Sequence, residues 1–125
     1  TNILRDVGED SRAGRIYLPR EDMARFHYTE EMLHEGIVNR EFIQLMRFQV
    51  ERANALYEAA APGIAMLPAD SRVAVAAAST VYRGILDKIA EANYDVFTNR
   101  AHLSLTEKLK SLPGIWWNAR REARV

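Results

Sequence analysis

Between Phe42 and Tyr57 apolar side chains return every three or four residues, and Phe42, Leu45, Met46, Phe48, Val50, Ala53, Leu56 and Tyr57 make one broad face. That period is helical, and it narrows the fold because a half-buried strand would alternate instead. A second run, Val73, Val75, Ala76, Ala77, Ala78, Val81, Tyr82, Ile85, Leu86 and Ile89, is apolar on most sides in its first half, the pattern of a helix buried within a bundle. No convincing period-two alternation, internal repeat or low-complexity segment occurs anywhere in the chain. The reading is all-α, a helical bundle with short connections.

Start and stop signals divide the rest. Ile3, Leu4 and Val7 fall on one side of a helix over residues 2–10. Residues 11–19 lose the period and carry Gly14 and Pro19, the punctuation of a loop. Pro19 suits the start of a short helix over residues 21–26. Thr29 is a fitting N-cap, with Glu30 and Glu31 in the first turn and Gly36 as the stop. The long helix begins near Asn39 and is expected to end before Pro62 and Gly63. Asp70 is the cap expected for the next one. A break over residues 93–99 leads to Ser104 and Glu107, the spacing of a capping box that opens a last helix, which Pro113 and Gly114 end or bend.

The 125 residues suffice for a single core, so one domain is expected. Lys plus Arg and Asp plus Glu number 17 each, which leaves no field of one sign to attract a polyanion; nucleic acid is excluded as a first partner. The absence of cysteine removes disulfides, thiolate nucleophiles and sulfur-bound zinc, so any metal is held by oxygen or histidine. The most apolar stretch, residues 73–78, is far shorter than the roughly 20 residues that cross a bilayer. The N-terminus lacks a signal pattern, and a helical period already runs at Thr1, so the chain is expected to begin inside a longer protein.

Asn2, Asp6 and Asp10 are four residues apart, so on a helix they drift only about 40° per step and lie along one stripe. Magnesium takes hard oxygen ligands, keeps several waters, and is commonly shared between one or two carboxylates and a substrate's phosphates. An acidic stripe facing another could hold a diphosphate through bridging metals. The same spacing also decorates solvated helix faces, paired with Arg5 or Arg12, and spacing alone leaves both readings open.

The order of residue types goes further. Asn2, Ile3, Leu4, Arg5, Asp6, Val7, Gly8, Glu9, Asp10, then four residues, then Arg15, Ile16, Tyr17, Leu18 and Pro19, resembles the second aspartate-rich signature of the squalene and phytoene synthase family. Four later groups are similar to its phytoene synthase branch: Asp70, Ser71 and Arg72; Val81, Tyr82, Arg83, Gly84, Ile85 and Leu86; Asn93, Tyr94, Asp95, Val96 and Phe97; and Lys108 and Leu109 with Leu112 and Pro113. The resemblance runs from Asn2 to about Trp117.

It implies an isoprenoid synthase fold, with residues 1–125 as the C-terminal part of one domain whose N-terminal part is absent. The activity implied is head-to-head condensation of two geranylgeranyl diphosphates to phytoene through a cyclopropyl intermediate, in carotenoid biosynthesis. Asn2, Asp6 and Asp10 match metal-binding positions, and Asp6, Asp10 and Tyr82 match catalytic ones. Asn2, Arg5, Arg15, Tyr82 and Arg100 are the implied substrate-binding residues, Arg100 through a one-residue gap.

The implied cofactor is Mg2+, with Mn2+ as an alternative. NADPH is not expected, in keeping with the lack of a nicotinamide-binding glycine pattern. The implied location is cytoplasmic or peripheral to a membrane, or plastidic in a plant or alga. The family's first aspartate-rich motif is not found in the sequence, so the chain by itself is expected to be inactive.

Other roles stay open. Arg12, Arg15, Arg20 and Arg25 could close over diphosphate as a lid, or simply meet solvent. Tyr82 could steady a cation with its ring or be a core residue, and the small residues 76–79 could line a hydrocarbon tunnel or pack a core. Trp116 and Trp117 with Arg120, Arg121 and Arg124 make either a membrane-surface contact or a frayed basic terminus. His27, His34 and His102 share no metal spacing and receive no role. Squalene or dehydrosqualene synthase is the alternative within the family. A helical interaction fragment, self-associating through bare apolar faces, is the alternative outside it.

Overall fold

A computed structural model describes residues 1–98, and every regular element among them is an α-helix. In chain order these are α1 (Asn2–Arg5), α2 (Val7–Arg12), α3 (Arg20–Arg25), α4 (Glu30–His34), α5 (Arg40–Ala65) and α6 (Ala69–Glu91). Arg100, His102, the capping box at Ser104 and the pair Trp116 and Trp117 lie outside the described residues.

Several boundaries follow from local chemistry. Thr29 caps α4 by accepting the Met32 N–H at 3.2 Å, and Asn39 caps α5 by accepting the Phe42 N–H at 2.9 Å. Gly36, with φ +67°, lets the chain leave α4 in a conformation that side chains disfavour. After α6 two non-glycine residues in succession, Asn93 (φ 55°) and Tyr94 (φ 63°), turn the chain back on itself at the expected break.

Three expectations about boundaries are corrected. The helix over residues 2–10 is divided at Asp6 (φ −101°, ψ 12°), although Asp6 N–H still reaches Asn2 C=O at 2.9 Å and Asp10 N–H reaches Asp6 C=O at 2.8 Å. The long helix passes through Pro62 to Ala65 instead of ending before it. Proline removes the bond to the Glu58 carbonyl, but Glu58, Ala59, Ala60, Pro62 and Gly63 are exposed, so the carbonyl left over lies on a stretch open to solvent. Asp70 is not the cap of α6: Pro68 precedes the helix, and Asp70 sits in its first turn, accepting the Ser71 N–H.

The core is lopsided. α5 and α6 form an antiparallel hairpin tied by Arg83, which donates to Asn54 Oδ1 at 3.0 Å and to Glu58 Oε1 at 2.9 Å. Buried α5 residues are confined to Phe42, Leu45, Met46, Gln49 and Val50, and buried α6 residues to Ile85, Leu86 and Ile89, at the same end of the hairpin. Leu4, Val7, Leu18, Met23, Tyr28, Leu33 and Val96 close over that end. α3 is pinned to α5 through Asp22, a buried carboxylate that accepts from Gln49 Nε2 at 2.7 Å and Arg52 Nη1 at 3.1 Å, the pairing a buried charge requires.

The other end departs from expectation. Val73, Val75, Ala74 and Ala78 are exposed, so the first half of α6 is not buried among the described residues. Among the described residues, the long helix beside it there is the far half of α5, itself open, with Leu56 at 66% exposure.

Candidate functional site

Asn2, Asp6 and Asp10 stand one turn above another. The two bonds that cross the break at Asp6 keep the i to i−4 spacing of a helix through all three, so the division does not disperse them. Asn2 is exposed, and Asp6 and Asp10 are partly exposed. The opposite side of α1 and α2 is sealed by Leu4, Val7, Gly8 and Ser11, all buried. An amphipathic segment has turned its oxygen donors away from its apolar contacts.

Arg5 and Asp6 form a bidentate pair, Nε to Oδ1 at 2.8 Å and Nη2 to Oδ2 at 3.1 Å. Adjacent side chains diverge on a regular helix, and the turn at Asp6 brings them together. The hydrogen bond to Asp6 holds the Arg5 guanidinium above its ordinary pKa, against the smaller opposing effect of burial. Tyr82, on α6, stands close enough to Arg5 to couple with it electrostatically and is 42% exposed. The core-residue reading of Tyr82 is thereby set aside.

Of the four arginines around the loop, the structure brings only Arg15 to the stripe. The loop folds back, Arg15 N–H donating to Asp10 C=O at 2.7 Å, and Arg15 and Asp10 line one small cleft with Ile3, Val7, Tyr17 and Leu33. Arg12 is directed elsewhere, its Nη1 donating to the Phe97 carbonyl at 3.2 Å. Arg20 pairs with Glu30 at 3.4 Å. Arg25 lies over the rings of Phe48 and Phe26, 4.8 and 5.5 Å from their centroids. A lid of four cations is not what the chain builds.

Three contacts escaped the sequence reading. Thr1 Oγ1 and Tyr57 share a hydroxyl hydrogen bond that fixes the start of α1 against α5. Ser11, buried on α2, bonds His34 Nδ1 at 3.2 Å, which joins α2 to α4. Gly8 allows a close approach taken up below. Nothing in spacing marks a pair 23 or 56 residues apart; such partners come from tertiary packing.

The donors suit a hard divalent cation, since all three are oxygens and two are carboxylates. Among the described residues no group of three or more His, Cys, Asp or Glu is placed to enclose a metal by itself. An ion at this stripe would therefore complete its shell with water, phosphate oxygens or further side chains. No described helix is long and apolar enough to cross a membrane.

Comparison with known proteins places the chain by family and fold. A family model described as squalene/phytoene synthase matches residues 1–107. The 15-cis-phytoene synthase of Synechococcus elongatus is 50% identical over 113 residues, covering 90% of this chain and 37% of that protein. The phytoene synthase of Arthrospira platensis is 51% identical with the same coverage. A chloroplastic phytoene synthase 2 of Oryza sativa is 46% identical, covering 28% of its own length. A crystal structure of a dehydrosqualene synthase in complex with ligand superposes with a TM-score of 0.87 at 34% identity, over 96% of this chain and 42% of the other. The chain thus spans between 28% and 37% of the length of these curated relatives.

Proposed function

This chain belongs to the squalene/phytoene synthase family, and we propose that it forms the C-terminal part of one synthase domain that joins two geranylgeranyl diphosphates head to head, giving phytoene by way of prephytoene diphosphate. The observation that carries the reading is the stripe of Asn2, Asp6 and Asp10, facing outward with Arg5, Arg15 and Tyr82 around it. Proteins named phytoene synthase, about half identical over 90% of the chain, support the choice of product.

In this reading Asn2, Asp6 and Asp10 hold Mg2+, or Mn2+ in its place. The bound ion supplies charge neutralisation for a departing diphosphate. Arg5 and Arg15 add cationic donors to the diphosphate oxygens, for which guanidinium forks are well shaped. Arg5 has a second duty, holding the Asp6 carboxylate in place through its two hydrogen bonds. Tyr82 presents a phenol at the same rim, to bond the diphosphate or to steady positive charge left on the hydrocarbon. Arg100 belongs to the proposal on its resemblance alone, as it lies outside the described residues. The reaction consumes no hydride, so no NADPH is required.

The partner class is the prenyl diphosphate itself. Contact with a membrane surface suits so apolar a product, and plastids are the site in a plant or alga, as the name of the rice relative has it. A squalene or dehydrosqualene synthase differs in substrate length, and the dehydrosqualene synthase neighbour favours keeping that reading as the second.

The test is a product assay on the complete enzyme containing this chain, supplied with Mg2+ and either C15 or C20 diphosphate. Phytoene from the C20 substrate is expected, and a C30 product from the C15 substrate alone would assign the alternative. Asp6→Asn or Asp10→Asn is expected to lower turnover by about 100-fold or more, the order found when an electrostatic partner of a developing anion is removed. Unchanged Mg2+ dependence in both variants would sink the metal assignment.

A further inference from the structure

Gly8 lies between Asp6 and Asp10 in sequence but on the other side of the helix. At about 100° per residue it falls about 180° from the midpoint of the two carboxylates. Its back is not merely buried but pressed. A methyl at Gly8 would stand 2.7 Å from the Val96 carbonyl oxygen and 3.0 Å from Phe97 Cα, both backbone atoms, and 3.3 Å from the Phe97 ring. The two backbone atoms cannot rotate aside.

The segment behind Gly8 is itself firmly held. Residues 93–98 leave α6 through the left-handed pair Asn93 and Tyr94. The Asp95 carboxylate accepts the N–H groups of Phe97 and Thr98, each at 3.2 Å, and the Thr98 hydroxyl. The Phe97 ring lies against Phe42 on α5, centroids 5.1 Å apart, and Arg12 of α2 returns to clamp the Phe97 carbonyl at 3.2 Å. The contact between α2 and this turn therefore has hydrogen bonding at one end and close backbone packing in the middle.

We infer that residues 93–98 are a positioning element for the proposed diphosphate site, a backstop against which the glycine face of α2 rests so that its depth sets how far Asp6 and Asp10 stand forward. The inference rests on the metal-stripe reading above and assigns Gly8, Phe97 and Arg12 a part in it without contact to substrate. A methyl at position 8 forces α2 and the 93–98 backbone apart; with the turn as the fixed partner, α2 moves forward along the line of the carboxylates, where a working constellation tolerates only about 0.5 Å. Arg12→Ala acts more gently, freeing one end of the contact at an exposed site.

The experiment measures Mg2+-dependent binding of inorganic diphosphate to the complete enzyme by calorimetry, beside the Mg2+ concentration for half-maximal turnover and the melting temperature. Gly8→Ala is expected to weaken diphosphate binding about 10-fold and Arg12→Ala about 3-fold, with Arg12→Lys restoring most of the loss. A role in stability alone would lower the melting temperature and leave binding by the folded protein unaltered; that result for Arg12→Ala overturns the inference, even if Gly8→Ala does not fold. Failure of the underlying reading is separable, because then Asp6→Asn and Asp10→Asn also leave Mg2+-dependent diphosphate binding at the wild-type level.

Discussion

Asp95 shows how one side chain can hold a turn and report on it. Its carboxyl is kept below the usual aspartate range chiefly by the hydrogen bond from the Thr98 side chain, with burial opposing. A folded pKa below the unfolded one means that the stabilisation is complete above the unfolded value of about 3.9 and is lost as pH falls through the lower, folded value. Asp95→Asn should therefore melt below the wild type at pH 7, and the two melting curves should converge under strongly acid conditions. A gap that stays constant with pH would show that the charge contributes nothing. The outward stripe of Asn2, Asp6 and Asp10 was legible at this scale because a period of four is visible in sequence. The Arg5 pairing with Asp6 was not, since it depends on a backbone departure at a single residue.

Among elements, the helices whose ends carry side-chain chemistry were the readable ones. Thr29 caps where expected, and Asn39 caps the long helix at its expected start, because each oxygen has one near N–H to accept. Asn39→Ala should cost about 1 kcal/mol in chemical denaturation, a typical loss for an N-cap; an unchanged midpoint would deny the cap its role. α5 was misjudged at Pro62 because a proline's penalty was weighed without its surroundings. Next to a short connection and open to water, one missing hydrogen bond does not stop a helix whose packing begins twenty residues earlier. Pro62→Ala supplies the N–H that the Glu58 carbonyl lacks, and is expected to raise stability by up to about 3 kcal/mol, the cost of an interior proline. A lower melting temperature in that variant would mean that the ring is needed where it is. The first half of α6 was misjudged for the opposite reason: an apolar period says that a face seeks cover, not which segment provides it.

Taken whole, the chain exposes apolar side chains that a closed bundle would hide, with Met66 at 85% and Leu56 at 66%. On its own, the 125-residue polypeptide is expected to self-associate, and Leu56→Lys with Val75→Lys should shift its sedimentation toward monomer. The same polypeptide with Mg2+ and geranylgeranyl diphosphate should yield no phytoene, because the facing set of acidic ligands is not in its sequence; a measurable product would refute the two-walled clamp. Among the described residues, the hairpin of α5 and α6 has its buried side chains at one end, Phe42–Val50 against Ile85–Ile89. A hairpin held in this way is expected to act as a cantilever. Its backbone amides should therefore exchange with deuterium on a gradient, slowest near the root and progressively faster toward the tip at Met66, instead of opening together in one step.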